Sequence, residues 1–242
     1  MSWYAAKVLE RRKETETAGT LILDVPGWPG HAAGQHLDVR LRAEDGYTAT
    51  RSYSIASAPN GERVELTVEL MPDGEVSPYL VQSIEPGSPL EVLGPIGGWF
   101  VWSPQQTEAV QLVAGGSGVV PLMAMLRTRR ESGSRAPFRL IYSVRTPESM
   151  YYREELQRLA AADETLAIDY AYTRVAPANW PVAPGRIDAA FMASHAWPSS
   201  EVPTAYVCGP TSFVESVAGL LTHAGYDPGR VRTERFGPTG AS

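Results

Sequence analysis

Along the first hundred residues the apolar positions come in short bursts: LILDVP, QHLDVRL, RSYSIAS, RVELTVEL and PLEVLGP. Between them lie the turn clusters PGWPG, AEDG, APNG and EPGS. Short β-rich bursts at this spacing predict the strands of a sandwich or barrel. Only SPYLVQSIE in this region reads as a short helix. The texture changes after Trp102, where polar SPQQTE leads into strand-like AVQLVAG and helix-like PLMAMLRTRRE. FRLIYSV, helix-like SMYYREELQRLAAA, LAIDYAYT, AYVCGP and helix-like TSFVESVAGLLTHAG follow. Strands alternating with helices predict a parallel sheet built through right-handed crossovers. The pattern places a domain boundary near residue 104. The segment from Val231 has no helical pattern and is expected to lie over another part of the chain.

One burst does not fit an ordinary core strand. In RSYSIAS, alternation sets Arg51, Tyr53 and Ile55 on one face and Ser52, Ser54 and Ala56 on the other. A face that carries an arginine and a tyrosine beside an isoleucine either meets solvent or holds something large and charged.

Composition narrows the classes. A chain of 242 residues that is 43% hydrophobic and 20% charged can bury a core, as one large or two modest domains. A net charge of −6 and the lack of a basic run argue against nucleic acid as a partner. The single cysteine, Cys208, leaves no internal disulfide and no cluster needing several thiolates, and the four histidines are scattered. The uncharged run from Ala109 to Leu126 is long enough to resemble a membrane span, but three glycines and Pro121 interrupt it. A buried strand, a glycine turn and a helix start explain it better. Without a signal-peptide pattern at the N-terminus, the expectation is a soluble, cytoplasmic protein with no membrane insertion.

The turn itself reads GGSGVVP, from Gly115 to Pro121. Glycines between a strand and a helix let backbone N–H groups approach an anion, and proline suits a first helical turn. The third glycine of a dinucleotide fingerprint and its downstream acidic residue are both absent, and the next strand ends at Arg145. The turn is equally open to a purely structural reading. YVCGP, from Tyr206 to Pro210, adds a second small-residue strand end, which would make a crevice for a flat ligand.

Taken in order, four motifs resemble those of the ferredoxin–NADP reductase superfamily. They are RSYS (Arg51 to Ser54), GEVS (Gly74 to Ser77), GSGVVP (Gly116 to Pro121) and VCGP (Val207 to Pro210). The resemblance runs from about Val8 to the C-terminal end. It implies an antiparallel β-barrel FAD-binding domain over residues 1–103 and a Rossmann-like parallel α/β NAD(P)-binding domain over 104–230. It further implies a tail, 231–242, folding back over the flavin. It implies that Arg51 pairs with the FAD pyrophosphate, that Tyr53 stacks on the isoalloxazine and that Ser54 bonds near flavin N5. Gly74, Val76 and Ser77 are implied at the pyrophosphate, and the backbone of Val68 at the flavin. Gly116, Ser117 and Gly118 are implied to cradle the nicotinamide dinucleotide, with Cys208 beside the nicotinamide and Phe236 on the flavin's other face. Ser52, Glu75, Pro121, Gly209 and Pro210 belong to the same cofactor-binding motifs, and Ser54 and Cys208 are the two residues implied at the reacting atoms. Glu69 stands where relatives often carry a basic residue. No stretch has cysteines at iron–sulfur spacing, so a fused reductase of the oxygenase type is not expected.

The segment YAYTRVAPANW resembles the cytochrome b5 reductase stretch in which an Asp precedes an Arg and suits NADH. Here Thr173 replaces the acid beside Arg174, and Arg145 adds a second cation. A hydroxyl and guanidiniums suit a 2′-phosphate, so NADPH is expected over NADH. The implied activity is an FAD-dependent NAD(P)H reductase that passes electrons to a ferredoxin, haem protein or partner oxidoreductase subunit. The alternatives are a flavin-free NAD(P) dehydrogenase and a non-catalytic nucleotide-binding module. Because strand alternation turns Ser54 away from Tyr53, a role at N5 requires the strand to bend or end near Ser54, or the flavin edge to reach round it.

Overall fold

A computed structural model describes residues 2–43 and 45–237. The chain divides into two compact units, Met1–Ser103 with Met123–Ser132, and Pro104–Leu122 with Gly133–Ser242.

The first unit is a six-stranded antiparallel sheet: β1 (Trp3–Thr15), β2 (Ala18–Asp24), β3 (His36–Arg42), β4 (Thr48–Ser54), β5 (Arg63–Glu69) and β6 (Pro89–Ile96). Their order is β4-β3-β6-β1-β2-β5. The edge strands meet at the Ile55↔Leu66 bridge, supported by Ala56 N–H donating to Glu65 O at 2.7 Å. The sheet therefore closes on itself, around a core that includes Leu21, Leu23, Val39, Leu66 and Val92, all fully buried. The SPYLVQSIE segment forms a five-residue π-helical turn, Tyr79–Ser83. β1 is not visible in the apolar pattern, because KVLERRKET is mostly charged. It serves two neighbours, β6 through Trp3–Lys7 and β2 through Lys7–Thr15, with irregularities at Val8/Glu10 and Lys13/Thr15. Those irregularities bend and twist the strand where it passes from one partner to the next.

The second unit is a parallel sheet of β7 (Val110–Gly115), β8 (Phe138–Val144), β9 (Leu166–Tyr172), β10 (Thr204–Pro210) and β11 (Val231–Phe236), in the order β11-β10-β7-β8-β9. Its helices are α1 (Val119–Glu131), α2 (Arg153–Ala162), α3 (Ala189–His195) and α4 (Thr211–His223). α1 from Met123 onward belongs to the first unit. There Arg127 donates to Ala56 O at 2.9 Å and pairs with Glu65 at 3.1 Å. One reading of the sequence needs correction. The helix predicted from Ser149 begins only at Arg153, because Tyr152 takes a left-handed conformation with φ 55° at its start. The segment from Val231 to Phe236, which has no helical pattern, forms a strand paired with β10, a pairing that leaves the expected role as a cover open. Residues 238–242 of that expected tail lie outside the described residues.

Candidate functional site

In the first unit, the ladder shows what RSYS does. Hydrogen bonds Ala43 N–H to Tyr47 O (2.9 Å) and Ile55 N–H to Gln35 O (3.0 Å) bracket the β3–β4 pairing. With the register Val39↔Arg51 and Leu37↔Tyr53, antiparallel alternation gives the amides of Arg51 and Tyr53 to β3. Those of Ser52 and Ser54 point to the other edge. On β5, Leu70 N–H to Thr17 O (2.7 Å) and Val25 N–H to Glu62 O (2.9 Å) bracket the Gly19↔Val68 register in the same way. The backbone of Val68 is therefore committed to β2, and its side chain lies in the core. This corrects the expectation that Val68 presents its backbone to a ligand; Thr67 and Glu69 turn their amides toward β4 instead. Among the described residues no β4–β5 pairing is recorded past Ile55↔Leu66. A flat ligand with hydrogen-bonding edges fits the slot between two strand edges that meet at one bridge and then part.

β4 ends at Ser54. The Ser54 side chain is half-buried and makes no hydrogen bond among the described residues. Tyr53 is half-buried against the core cluster, and burial pushes its phenol up to about 12. It stays neutral and offers a ring face.

Arg51 is half-exposed. Its Nη1 donates to Thr50 O at 2.7 Å and its Nη2 to Glu75 Oε2 at 2.6 Å. Glu75 Oε1 also accepts from the Tyr47 hydroxyl at 2.5 Å. These bonds, the one from Tyr47 first, hold the Glu75 carboxyl below its ordinary range. Within the GEVS loop, Val76 and Ser77 are buried. Ser77 Oγ accepts from Met71 N–H at 3.0 Å and donates to Met71 O at 3.4 Å. The hydroxyl expected at a phosphate is thus a loop tie. A Cβ at Gly74 would lie 3.0 Å from Met71 O and 3.1 Å from Ser77 Oγ, so a larger residue there would press on the tie.

In the second unit, β7 stands where the strand order reverses, between β10 and β8. The crevice outside the carboxyl ends of β7 and β10 is the usual ligand position of such sheets. Each tip carries glycine, Gly115 at the end of β7 and Gly209 next to the end of β10. A Cβ at Gly118 would lie 2.1 Å from Cys208 O, and Cβ atoms at Gly115 and Gly209 would each lie 2.7 Å from the Phe213 ring. These three glycines let the tips touch each other and the ring. Of the glycines at these two tips, Gly116, at φ 55°, is the one that faces open space. The expected cradle of three residues therefore divides into one open glycine, Gly116, and one packing glycine, Gly118, with half-buried Ser117 between them. Pro121 is buried in the first turn of α1, and Pro210 is exposed at the start of α4. Cys208 is 1% exposed, and burial first, then Glu234, pushes its thiol well up. It is a neutral thiol and no nucleophile.

Arg145 and Arg174 come together at the ends of β8 and β9, where the amides of Arg174 and Val175 donate to Arg145 O at 3.0 and 3.1 Å. Both arginines are exposed, and neither guanidinium has a protein partner among the described residues. The Thr173 hydroxyl donates to Val144 O at 3.3 Å, so the two guanidiniums carry the positive character of this corner. Phe236 is half-buried in β11, in register with Pro210.

Sequence reasoning missed Tyr47, Phe213 and Glu234. Glu234 lies in register with Cys208, and burial pushes its carboxyl up to about 7. No local pattern signals these residues, because each matters through its partner on another element.

The closed antiparallel sheet followed by a switch-point parallel sheet defines a two-domain architecture whose second sheet has a ligand crevice at its switch point. Residues 17–101 match the oxidoreductase FAD-binding domain, and residues 112–219 match the oxidoreductase NAD-binding domain. The chain belongs to the ferredoxin–NADP reductase superfamily. It is 29% identical over 209 residues to the ferredoxin–NAD(P)(+) reductase component of the naphthalene 1,2-dioxygenase/salicylate 5-hydroxylase systems of Ralstonia sp., covering 86% of this chain and 61% of that protein. It is 30% identical over 246 residues to a flavohemoprotein of Rhodopirellula baltica, covering 96% of this chain and 60% of that one. The chain thus spans less than two thirds of the length of these relatives. In fold it is similar to the flavohem-like FAD/NAD-binding domain of nitric oxide dioxygenase from Vibrio cholerae, with TM-score 0.86, 22% identity and coverage of 97% and 99%. Among the described residues no helix is long and apolar enough to cross a membrane, and no group of acidic, histidine or cysteine side chains could hold a metal ion.

Proposed function

We propose that the chain is an FAD-dependent NAD(P)H reductase that serves a redox protein, either an oxygenase component or a haem protein. The observation that carries this is the open slot between the β4 and β5 edges, with Arg51 on one of those edges, inside the matched FAD-binding domain. Bound FAD supplies the exchange between a two-electron hydride donor and one-electron acceptors. The chain's own residues position and shield. The amides of Ser52, Ser54, Thr67 and Glu69 line the slot, and Tyr53 offers a neutral ring. Ser54 offers a half-buried hydroxyl at the strand end. Gly116 leaves backbone room at the β7 tip for a nicotinamide dinucleotide. Phe236 supplies an aromatic surface from β11. None of these roles requires a strong acid or base.

Arg145 and Arg174 support NADPH as the preferred donor, since two guanidiniums without protein partners suit a 2′-phosphate. Purified protein supplied with FAD should be yellow and should bleach on anaerobic addition of NADPH. Colourless protein that cannot be loaded with FAD would overturn the reading, and so would yellow protein that no nicotinamide nucleotide bleaches. For nucleotide choice, Thr173→Asp should move kcat/KM from NADPH toward NADH by about tenfold, as expected for a carboxylate set against a phosphate. An unchanged ratio would remove this corner from the nucleotide site.

A further inference from the structure

We propose that Glu75 is an internal anion that occupies Arg51, so that FAD uptake proceeds by exchange of this carboxylate for the cofactor's pyrophosphate. The proposal rests on the flavoprotein reading above and concerns how that site is filled. The geometry is specific. One carboxylate oxygen takes the Arg51 Nη2 hydrogen bond at 2.6 Å, and the other takes the Tyr47 hydroxyl at 2.5 Å. Tyr47 comes from the β3–β4 hairpin and Glu75 from the GEVS loop, so two separate elements hold the carboxylate on the guanidinium. The loop leaves Glu75 little choice of position. Gly74 N–H donates to Met71 O at 2.8 Å, Ser77 Oγ bonds both backbone groups of Met71, and Val76 is fully buried. Glu75 is the half-exposed side chain between these fixed points. Arg51 is fixed from its other side by Thr50 O.

A pyrophosphate approaching Arg51 meets a site already neutralised by a carboxylate. Either it displaces Glu75, or it binds beside a like charge. Both cost affinity, and both disappear when the carboxylate is made neutral. Tyr47 belongs to the same device, since it holds the carboxylate in place rather than contributing charge.

The test is FAD binding by the full chain freed of flavin, followed by quenching of flavin fluorescence, with thermal melts as a folding control. Glu75→Gln should lower the FAD Kd by about fivefold at low ionic strength, the scale of an exposed charge pair, and the gain should shrink in high salt. Tyr47→Phe should shift Kd in the same direction by less. Arg51→Gln should weaken binding, and in that background Glu75→Gln should gain clearly less than in the wild type. An unchanged or weaker Kd for Glu75→Gln overturns the exchange. An equal gain with and without Arg51 also overturns it, since the carboxylate would then act by repulsion alone. Failure of every variant, wild type included, to bind FAD would instead overturn the flavoprotein reading itself.

Discussion

A methyl group at Gly118 would arrive 2.1 Å from the Cys208 carbonyl oxygen, whereas one at Gly116 would meet nothing within 4 Å. The obstacle at Gly118 is backbone at the tip of β10 and cannot turn aside as a side chain would. Gly118→Ala should therefore cost about 3 kcal/mol or more, since the two tips must separate. Gly116→Ala meets only the left-handed φ of 55°, which costs about 1 to 2 kcal/mol. Urea unfolding of both variants checks the ranking, and equal losses would mean that the tips do not touch as described. The sequence marked both glycines equally, because a motif records where glycine is needed and not which neighbour excludes a side chain. Glu234 belongs to the same scale. Burial raises its folded carboxyl to about 7, above its ordinary 4.5. A folded state that holds this proton more tightly than the unfolded state loses stability as pH rises from about 4.5 to about 7, and stays lower above that. The full loss is on the order of 3 kcal/mol. Glu234→Gln should thus raise the midpoint of thermal unfolding markedly at pH 8 and little at pH 5. A gain independent of pH would assign the effect to packing.

At the scale of elements, the strands that apolar alternation marks are those with a buried face, such as β2, β3 and β5 (fully or alternately buried) and the buried run of β7. β1 and β11 escape it for physical reasons. β1 carries charges at most positions outside Ala5, Ala6 and Val8, and β11 is an edge strand with every residue half-buried or exposed. Neither strand buries a continuous face, so neither writes a period into its sequence. The end of β4 at Ser54 could be anticipated only by asking what a hydroxyl at the wrong pleat position needs. The slot between β4 and β5 could not, since it depends on which amides the ladder consumes, and that follows from register. β11 also has a measurable function as a cover. Its Glu234 lies in register with Cys208, whose thiol is buried. A chain ending after Arg230 should expose Cys208, so that a thiol reagent labels it at least tenfold faster in a folded sample, the scale expected of a site freed from burial. Unchanged labelling would mean that helices alone bury the thiol.

At the scale of the molecule, a net charge of −6 and a pI near 5.3 act against any anionic ligand. NADPH is more anionic than NADH, so a preference for it must come from local cations strong enough to reverse the general field. The distances decide which wins. Charges spread over the surface act across more than the screening length, about 8 Å at physiological salt, and are largely damped there. Arg145 and Arg174, joined through their backbones at the tips of β8 and β9, would act at contact distance, where their attraction outweighs the damped distant field, although added salt still weakens an exposed contact. Raising ionic strength should then increase KM for NADPH, and more steeply than KM for NADH, because the favourable contact is weakened while little repulsion remains to be relieved. Arg174→Ala should raise KM for NADPH at low salt and flatten its salt dependence, leaving NADH nearly unaffected. A KM for NADPH that falls as salt is added would show the global charge in control, and the two arginines would then have no part in choosing the nucleotide.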